Sequence, residues 1–303
     1  MGNSGFTDAD VPDQSGRCIM VTGANTGLGF ETARVLASKG ARVLLACRNK
    51  AKAEAAMGRI YEATPHADLS FVQLDQADLR SVREAAEIAG REQRLDVLIN
   101  NAGIMSSRKD RTKDGFEHHF GINHLGTFAL TMLLLPKLAE QEGSRIVITS
   151  SLAHRTGKID FDDLVDGENS KPGQLYSNSK LANLLFSWEL DRRLRAANIT
   201  VSAVACHPGM AASELFREGP GFIKALAPLL NRLVNSALQG AWPTLQAATD
   251  PTVESGGYYG PQRLGGVKGP SGPATRSQQA RSPALAEQLW NVSERLSGIT
   301  LSL

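Results

Sequence analysis

The sequence predicts one α/β domain built on a doubly wound parallel sheet of about seven strands. Short apolar runs alternate with helix-period runs from residue 17 to residue 206, and this alternation is the βαβ repeat of such a sheet. Glycine or polar residues follow the apolar runs at Gly23, Asn101, Ser151 and Pro208. Because the carboxyl ends of parallel strands share one edge of the sheet, we expect these residues to lie together there. The length of 303 residues is sufficient for one large domain of this kind.

Composition narrows the classes of function. Apolar residues make up 42% of the chain and charged residues 21%, as in ordinary globular proteins. A net charge of +2 is too small to indicate nucleic-acid or anionic-membrane binding. We see no Cys/His cluster that predicts a metal site, and no apolar run that predicts a signal peptide or an integral membrane segment. Cys18, Cys47 and Cys206 lie in strand-like runs and fit buried thiols in a reducing compartment, so we expect a cytoplasmic protein.

The first apolar strand, at 17–22, leads into the glycine-rich turn 23–29 and then into a helix from about residue 28 to residue 39. Strand, glycine turn and helix in this order predict a dinucleotide site. Glycine lets the backbone approach a pyrophosphate, and the helix N-terminus attracts its negative charge. The spacing is Gly-x-x-x-Gly-x-Gly, and a glycine turn without a ligand is the alternative. Residues 1–15 look like a loose arm.

The second strand, at 41–46, leads to Arg48. An NAD-dependent enzyme places an acidic residue near this point to bind the ribose hydroxyls. Arg48 and the nearby Lys50 instead suit the additional phosphate of NADP(H). We therefore favour NADP(H) as the cofactor, with NAD(H) and a simple solvated basic turn as the alternatives.

The following elements continue the alternation, and their strands again end in polar or small residues. The predicted helices cover 51–62, 78–90 and a long pattern over 114–142 that contains the polar Asn123, and a further helix opens at Tyr176. The predicted strands cover 69–74, 95–99, 145–149 and 199–206. They lead, in that order, to Asp75, to the turn 100–103, to Ser150 and Ser151, and to Pro208 and Gly209.

The helix that opens at Tyr176 places its phenol four residues before Lys180, on the same helical face. A phenol has a pKa of ~10 and is a poor acid or base at neutral pH, but a nearby positive charge favours the phenolate. The pair therefore fits proton transfer. The same spacing also fits a surface lysine that lies along a core tyrosine, so the other motifs must decide.

The segment that follows Pro208 and Gly209 bears on the substrate. Residues 210–238 carry an apolar helical stripe, which fits a lid over a lipophilic substrate. Packing on the protein's own core, on a partner subunit or on a membrane surface are the alternatives. The stripe consists of Phe222, Ile223, Leu226, Leu229, Leu230, Leu233 and Val234. Beyond it we predict a last short strand at 256–260, an extended segment at 261–283 and a final helix that docks on the body.

Five motifs occur in a fixed order: Thr22-Gly23-x-x-x-Gly27-x-Gly29, Asn100-Asn101-Ala102-Gly103, Ser151, Tyr176-x-x-x-Lys180 and Pro208-Gly209. In this order they resemble the short-chain dehydrogenase/reductase family over about residues 15–260, which implies a Rossmann-type fold. Finer details resemble the retinol dehydrogenase-like branch, which includes bacterial oxidoreductases of unknown substrate and mostly prefers NADP(H). These details are the turn 23–29, Ala46-Cys47-Arg48, the run 150–154, the run 180–183 and Leu289-Trp290-x-x-Ser293. Protochlorophyllide reductases are a neighbouring group.

The resemblance implies four catalytic roles. Tyr176 would exchange a proton with the substrate oxygen, and Lys180 would lower the pKa of Tyr176 and bind the nicotinamide ribose. Ser151, the second serine of its pair, would polarise the carbonyl group. Asn123 would anchor a water molecule that relays protons to Lys180.

The resemblance also implies a cofactor site along the strand ends. Asp75 would meet the adenine, the turn 101–103 would line the adenosine half, and Pro208 would pack with Gly209 near the nicotinamide carboxamide. The family often has Asp-Leu where this chain has Asp75-Gln76, which should shift the adenine pocket slightly. The predicted cofactor residues are Gly23, Asn25, Thr26, Gly27, Leu28, Gly29, Arg48, Asn49, Asp75, Gln76, Asn101, Ala102, Gly103, Thr149, Tyr176, Lys180, Pro208 and Gly209.

We therefore predict an NADP(H)-dependent oxidoreductase that interconverts an alcohol and a ketone or aldehyde of lipophilic character, as a homo-oligomer through long helices. A weakly catalytic nucleotide sensor or scaffold and a nucleotide-sugar epimerase are the alternatives. The complete Ser151, Tyr176 and Lys180 set argues against the first, and the compact region after residue 206 argues against the second. The predicted organisation is an arm at 1–15, a domain at 16–260 with its lid at about 210–238, and a C-terminal loop and docking helix at 261–303. The histidines predicted to be structural or surface groups are His118, His119, His124 and His207, whereas His154 is a candidate for substrate contact.

Overall fold

A computed structural model describes residues 5–210 and 234–301 of the chain. Its strands form one sheet in the order β3-β2-β1-β4-β5-β6-β7-β8. They are β1 Cys18–Thr22, β2 Arg42–Cys47, β3 Asp68–Gln73, β4 Val97–Asn100, β5 Arg145–Thr149, β6 Ser202–Cys206, β7 Tyr258–Arg263 and β8 Lys268–Pro273. Neighbouring strands from β3 to β7 are parallel, and β8 runs antiparallel to β7. The predicted doubly wound sheet is confirmed, with one strand more than expected.

Helices cover both faces of the sheet. Within the described residues they are α1 Gly27–Ser38, α2 Lys50–Ala63, α3 Leu79–Gly90, α4 Gly126–Ala139, α5 Pro172–Ala196, α6 Ala237–Thr249 and α7 Pro283–Ser297. Successive residues of β1 pack on opposite faces: Ile19 joins the core beneath α1 and α6, and Met20 joins the core beneath α3, α4 and α5. Both faces of β1 are therefore buried, which explains its continuous apolar sequence.

The long helix predicted over 114–142 begins later than expected. Its regular part is α4, and a π-helical turn, Phe120–Leu125, precedes it. Asp114 lies outside the helix, because its carboxylate accepts a hydrogen bond from the backbone N–H of Leu79 at the start of α3, at 2.9 Å. The stretch Phe120–Ala139 is long and apolar enough to span a membrane by length and composition, but 78% of its most apolar window is buried inside the fold.

Helix α7 packs against α4 and α5. Trp290 of α7 is buried, and its ring centroid lies 5.3 Å from that of Phe128 on α4 and 5.9 Å from that of Phe186 on α5. From residue 175 to residue 191, helix α5 is buried except at the partly exposed Trp188. Helix α5 is therefore a core helix over most of its length.

Two terminal segments differ from the sequence prediction. The described part of the arm is attached to the body: Phe6 forms an antiparallel bridge with Ser271, and Trp242 Nε1 donates to Asp8 Oδ1 at 2.7 Å. The segment 261–283, expected to be extended, contains the end of β7 and all of β8. Strand pairing therefore continues past residue 260. The stripe residues 222–233 of the predicted lid lie outside the described residues.

Candidate active site

The glycine turn joins β1 to α1 with its glycines in close contact with backbone. Gly23 and Gly27 have φ values of +68° and +58°, which glycine adopts without strain. Gly29 lies so close to the preceding turn that an added Cβ would stand 2.4 Å from the Gly23 carbonyl oxygen. The turn therefore brings the N-terminus of α1 directly to the end of β1, in the arrangement that binds phosphates.

The turn after β4 is held to the end of β1 by Thr22. The Thr22 Oγ1 atom accepts hydrogen bonds from the backbone N–H groups of Asn101 and Ala102, at 3.0 and 2.9 Å. The Asn101 side chain donates to the Thr22 carbonyl at 2.9 Å. The glycine turn and the turn 101–103 consequently form one continuous rim.

The two serines that follow β5 have different environments. Ser150 Oγ donates to the Lys180 carbonyl at 2.7 Å and is buried. Ser151 Oγ accepts a hydrogen bond from Ala153 N at 3.2 Å, and a hydroxyl that accepts in this way retains its proton to donate. The Ser151 hydroxyl therefore keeps its proton available, whereas Ser150 uses its proton to bond helix α5 at Lys180.

Tyr176 and Lys180 lie in the first turns of α5 and are both largely buried, with 7% and 5% of their surface exposed. The Lys180 ammonium lies 5.8 Å from the centroid of the Tyr176 ring. It also donates to the Thr149 carbonyl at the end of β5, at 3.3 Å. The predicted Tyr/Lys pair thus sits beside the two serines, at the edge of the sheet where the strands end.

Asn123 connects the turn after β4 to helix α5. Its Oδ1 accepts from Ile104 N at 2.7 Å, and its Nδ2 donates to the Ile104 carbonyl and to Ser179 Oγ, each at 2.9 Å. Gly103 lies between Asn123 and Lys180, because a Cβ added to it would stand 3.1 Å from Asn123 Oδ1 and 3.2 Å from Lys180 Nζ. Four of the five motifs of the sequence therefore converge on one site.

The residues of this site lie within a match to a known family. The family model for short chain dehydrogenase matches residues 17–219, which include both turns, both serines and the Tyr/Lys pair. The chain belongs to the short-chain dehydrogenase family. It is an oxidoreductase of the retinol dehydrogenase-like branch, as its relatives indicate.

Curated relatives in this branch resemble nearly the whole chain. Human retinol dehydrogenase 12 is 42% identical over 296 residues, which are 97% of this chain and 89% of the relative. Human retinol dehydrogenase 13 is 43% identical and covers 94% of this chain and 85% of the relative. Among solved structures, an uncharacterised protein from Mycobacterium paratuberculosis is 40% identical with a TM-score of 0.82, over 99% of this chain and all of that one.

The residues predicted at the adenosine end of this dehydrogenase have mixed surroundings. Arg48 is exposed at the end of β2, so its guanidinium is accessible to a ligand. The Asn49 side chain caps α2 by accepting from Lys52 N at 2.9 Å. Asp75 Oδ1 accepts from Ala77 N at 3.0 Å. Gln76 is buried and donates to Thr127 Oγ1 on α4 at 3.1 Å, so its side chain points into the protein.

The turn after β6 is fixed by a residue that sequence reasoning did not single out. Asn235 Nδ2 donates to the Pro208 carbonyl at 3.0 Å, and its backbone N–H donates to the Met210 carbonyl at 2.9 Å. Its Oδ1 accepts from Gly269 N on β8 at 3.2 Å. Gly209, with φ at +74°, is therefore held in place between β6 and β8.

Two histidines border the site from inside the protein. His119 is buried with its ring centroid 6.2 Å from that of Tyr176, and its Nδ1 lies 2.8 Å from Glu117 Oε1. Burial opposes the charge of Glu117, but hydrogen bonds from His119 and from backbone N–H groups outweigh it and hold the pKa of Glu117 below its usual value. His154 is also buried, and its Nδ1 lies 2.7 Å from the Ser151 carbonyl, so its ring is bonded to the backbone of the predicted catalytic serine. Burial opposes the positive charge of His154 and so lowers its pKa.

The described residues include no group of three or more His, Cys, Asp or Glu side chains able to hold a metal ion. Three polar residues that the sequence analysis assigned no role, Thr22, Ser179 and Asn183, all bind the backbone or side chains of the site. Their signal in the sequence is weak, because each is one polar residue in a run that is otherwise buried.

Proposed function

We propose that the chain interconverts an alcohol and a ketone or aldehyde with NADP(H) as cofactor. The observation that supports this reaction is the convergence of Ser151, Tyr176 and Lys180 beside the rim formed by the two turns. The rim fits a dinucleotide, because Gly29 packs so closely on the Gly23 carbonyl and the Asn101 amide that the N-terminus of α1 is held at the end of β1. The rim would hold the pyrophosphate at the α1 N-terminus, and when bound the nicotinamide supplies or accepts the hydride.

The residues of the chain act on the substrate oxygen. In carbonyl reduction, Ser151 donates a hydrogen bond to that oxygen, and Tyr176 gives its phenolic proton to it as negative charge develops. The Lys180 ammonium stabilises the resulting phenolate. In alcohol oxidation the same proton moves in the opposite direction, from the substrate hydroxyl to Tyr176. A Tyr176→Phe variant should bind nucleotide normally and lose about a hundredfold or more in kcat.

The preference for NADP(H) is carried by Arg48, whose exposed side chain would pair with the additional phosphate. The test is a fluorescence titration of NADPH and NADH binding with wild type, Arg48→Glu and the control Arg91→Glu. Arg91 is an exposed arginine at the C-terminal end of α3. We expect Arg48→Glu to weaken NADPH binding about tenfold or more and to spare NADH, and the control to change neither. Equal binding of both nucleotides by wild type would contradict the preference, and folded protein that binds neither would contradict the whole proposal.

The substrate that we propose is lipophilic. Among the large apolar side chains with substantial exposure are Met105, Met210 and Leu264, and all three belong to segments that border the site. Met105 follows the turn after β4, and Met210 follows Gly209. Leu264 lies at the tip of the β7–β8 hairpin. That tip contacts the site, since Met210 N donates to the Val267 carbonyl at 3.0 Å.

Leu264 has an unusual backbone conformation. Its φ is +52° although it is not glycine, and it is 65% exposed. A large residue in this region costs on the order of 1 kcal/mol or more and indicates a functional constraint. The variant Leu264→Ala should raise KM for bulky apolar ketones and leave KM for short polar ketones unchanged. Ile88→Ala, at an exposed position on α3, is the control, and equal effects on both ketone classes would contradict the lipophilic assignment.

A further inference from the structure

The π-helical turn Phe120–Leu125 directs two consecutive polar side chains at helix α5. Asn123 Nδ2 donates to Ser179 Oγ at 2.9 Å, and His124 Nδ1 lies 3.3 Å from Asn183 Oδ1. Successive side chains of a regular α-helix diverge by about 100°, so the wider turn allows both to reach the same neighbour. Turns of this kind are frequent at functional sites.

The two contact points on α5 flank the catalytic lysine. Ser179 directly precedes Lys180, and Asn183 lies one helical turn after Ser179 on the same side. Asn183 Nδ2 donates to the Thr149 carbonyl at 3.2 Å, and Lys180 Nζ donates to the same carbonyl at 3.3 Å. The amide of Asn183 and the ammonium of Lys180 therefore share one acceptor.

The shared acceptor determines how His124 is protonated. Since the amide nitrogen of Asn183 faces the Thr149 carbonyl, its Oδ1 faces His124 and requires a donor there. His124 then carries its proton on Nδ1, and its Nε2 requires the proton of Ser293 Oγ on α7, 2.9 Å away. The same hydroxyl lies 2.7 Å from the Leu289 carbonyl, so this tautomer requires the Ser293 proton to turn from Leu289 to His124. The whole chain of contacts is buried, with His124 and Ser293 at 0% exposure and Asn183 at 2%.

A histidine enclosed by rings could be only a core residue. His124 stacks on Phe120 at a centroid distance of 5.2 Å and meets Phe186 edge-on at 5.9 Å. His124 differs from an ordinary core residue because its hydrogen bonds lead, through Asn183, to the Thr149 carbonyl that also binds Lys180. Without a donor at His124, the Asn183 oxygen would be buried and unpartnered, and the amide would have to turn away from Thr149.

We propose that His124 is a positioning residue that holds the Lys180 ammonium toward Tyr176 through Asn183 and the Thr149 carbonyl. The inference rests on the proposed function, in which Lys180 stabilises the Tyr176 phenolate. It also connects α7 to the active site, because Ser293 completes the bonding of His124.

The test compares His124→Leu, which removes the donor and keeps an apolar side chain, with His124→Asn, which retains an N–H close to the position of Nδ1. The readout is the phenolate absorbance of the protein without cofactor as a function of pH, with Tyr176→Phe subtracted to isolate one tyrosine. We expect the Tyr176 midpoint to move upward by about one pH unit in His124→Leu and to return toward the wild-type midpoint in His124→Asn. The acidic limb of the pH profile of alcohol oxidation should move by the same amount.

Other results would overturn the inference. A wild-type midpoint in folded His124→Leu shows that Lys180 does not depend on His124, and equal shifts in both variants show that packing, not the N–H donor, is responsible. If His124→Leu fails to fold, Asn183→Ala removes the shared hydrogen bond directly and must give the same upward shift. Because the titration needs no turnover, absence of alcohol oxidation by wild type would reject the proposed function without deciding the role of His124.

Discussion

Gly29 offers the most direct test of the nucleotide site. In Gly29→Ala the new Cβ would stand 2.4 Å from the Gly23 carbonyl oxygen and 2.5 Å from Asn101 Nδ2, whereas ordinary Cβ contacts begin at 3.4 Å. The start of α1 and the rim must therefore separate by about 1 Å. Gly23 is backbone and Asn101 is bonded to Thr22, so neither neighbour can simply rotate away.

The expected cost follows from two opposing effects. Alanine favours a helix over glycine by about 1 kcal/mol, but overpacking of this severity costs about 1–3 kcal/mol. We expect a net loss of stability of about 1 kcal/mol and, because the displaced backbone is the part that would hold the pyrophosphate, a loss of NADPH affinity of tenfold or more.

The assay combines urea unfolding with NADPH titration, and Gly58→Ala is the matched control. Gly58 is exposed within α2, and a Cβ added there meets no atom within 4 Å. This control should gain about 0.5–1 kcal/mol of stability and bind NADPH like wild type. Wild-type NADPH affinity in Gly29→Ala would refute the assignment of the rim to the pyrophosphate.

Three further predictions concern the core and the serines. Ser151→Ala should lower kcat about a hundredfold, whereas Ser150→Ala, which loses a hydrogen bond to the Lys180 carbonyl, should cost mainly about 1 kcal/mol of stability; steady-state kinetics and urea unfolding of both variants separate the two. Burial lowers the pKa of His124 from 6.5 to about 4, so between these values the unfolded chain binds a proton that the folded chain does not. The contribution of neutral His124 to the free energy of unfolding should therefore be fully present above pH 6.5, and about 3 kcal/mol of it should be lost as the pH drops toward 4. Urea unfolding across this range should show a smaller loss in His124→Asn. Trp290→Ala should cost about 3–5 kcal/mol and Trp290→Phe clearly less, as read from the midpoints of denaturant unfolding.

The sequence predicted where the candidate site residues lie in the fold, because topology leaves little choice there. Gly23, Asn101 and Ser151 each follow a strand of a parallel sheet, and parallel strands bring their carboxyl ends to one edge regardless of the packing behind them. Tyr176 and Lys180 are one helical turn apart, so helix geometry alone places them side by side. These are local or topological consequences, and they need no knowledge of side-chain packing.

The features that the sequence did not predict depend on contacts between distant residues. Strand β8 has the sequence Lys-Gly-Pro-Ser-Gly-Pro, which has low strand propensity, and it is extended because it pairs with β7 and bridges to Phe6. The direction of the Gln76 side chain is set by Thr127, fifty-one positions away in the chain. The start of α4 was placed too early because helical periodicity does not show that Asp114 bonds to α3 instead.

The structure separates the parts that hold the chemistry from the parts that would select the substrate. Each catalytic strand end is tied to a neighbour by a buried polar group: Thr22 to the turn after β4, Ser150 to α5, and Asn235 to the turn after β6. Such ties hold the proposed reacting groups on rigid elements, as the proposed hydride and proton transfer would require. Met105 and Leu264, by contrast, lie exposed at the margins of the site. We therefore expect substitutions at these exposed positions to alter substrate entry while the tied strand ends keep their geometry.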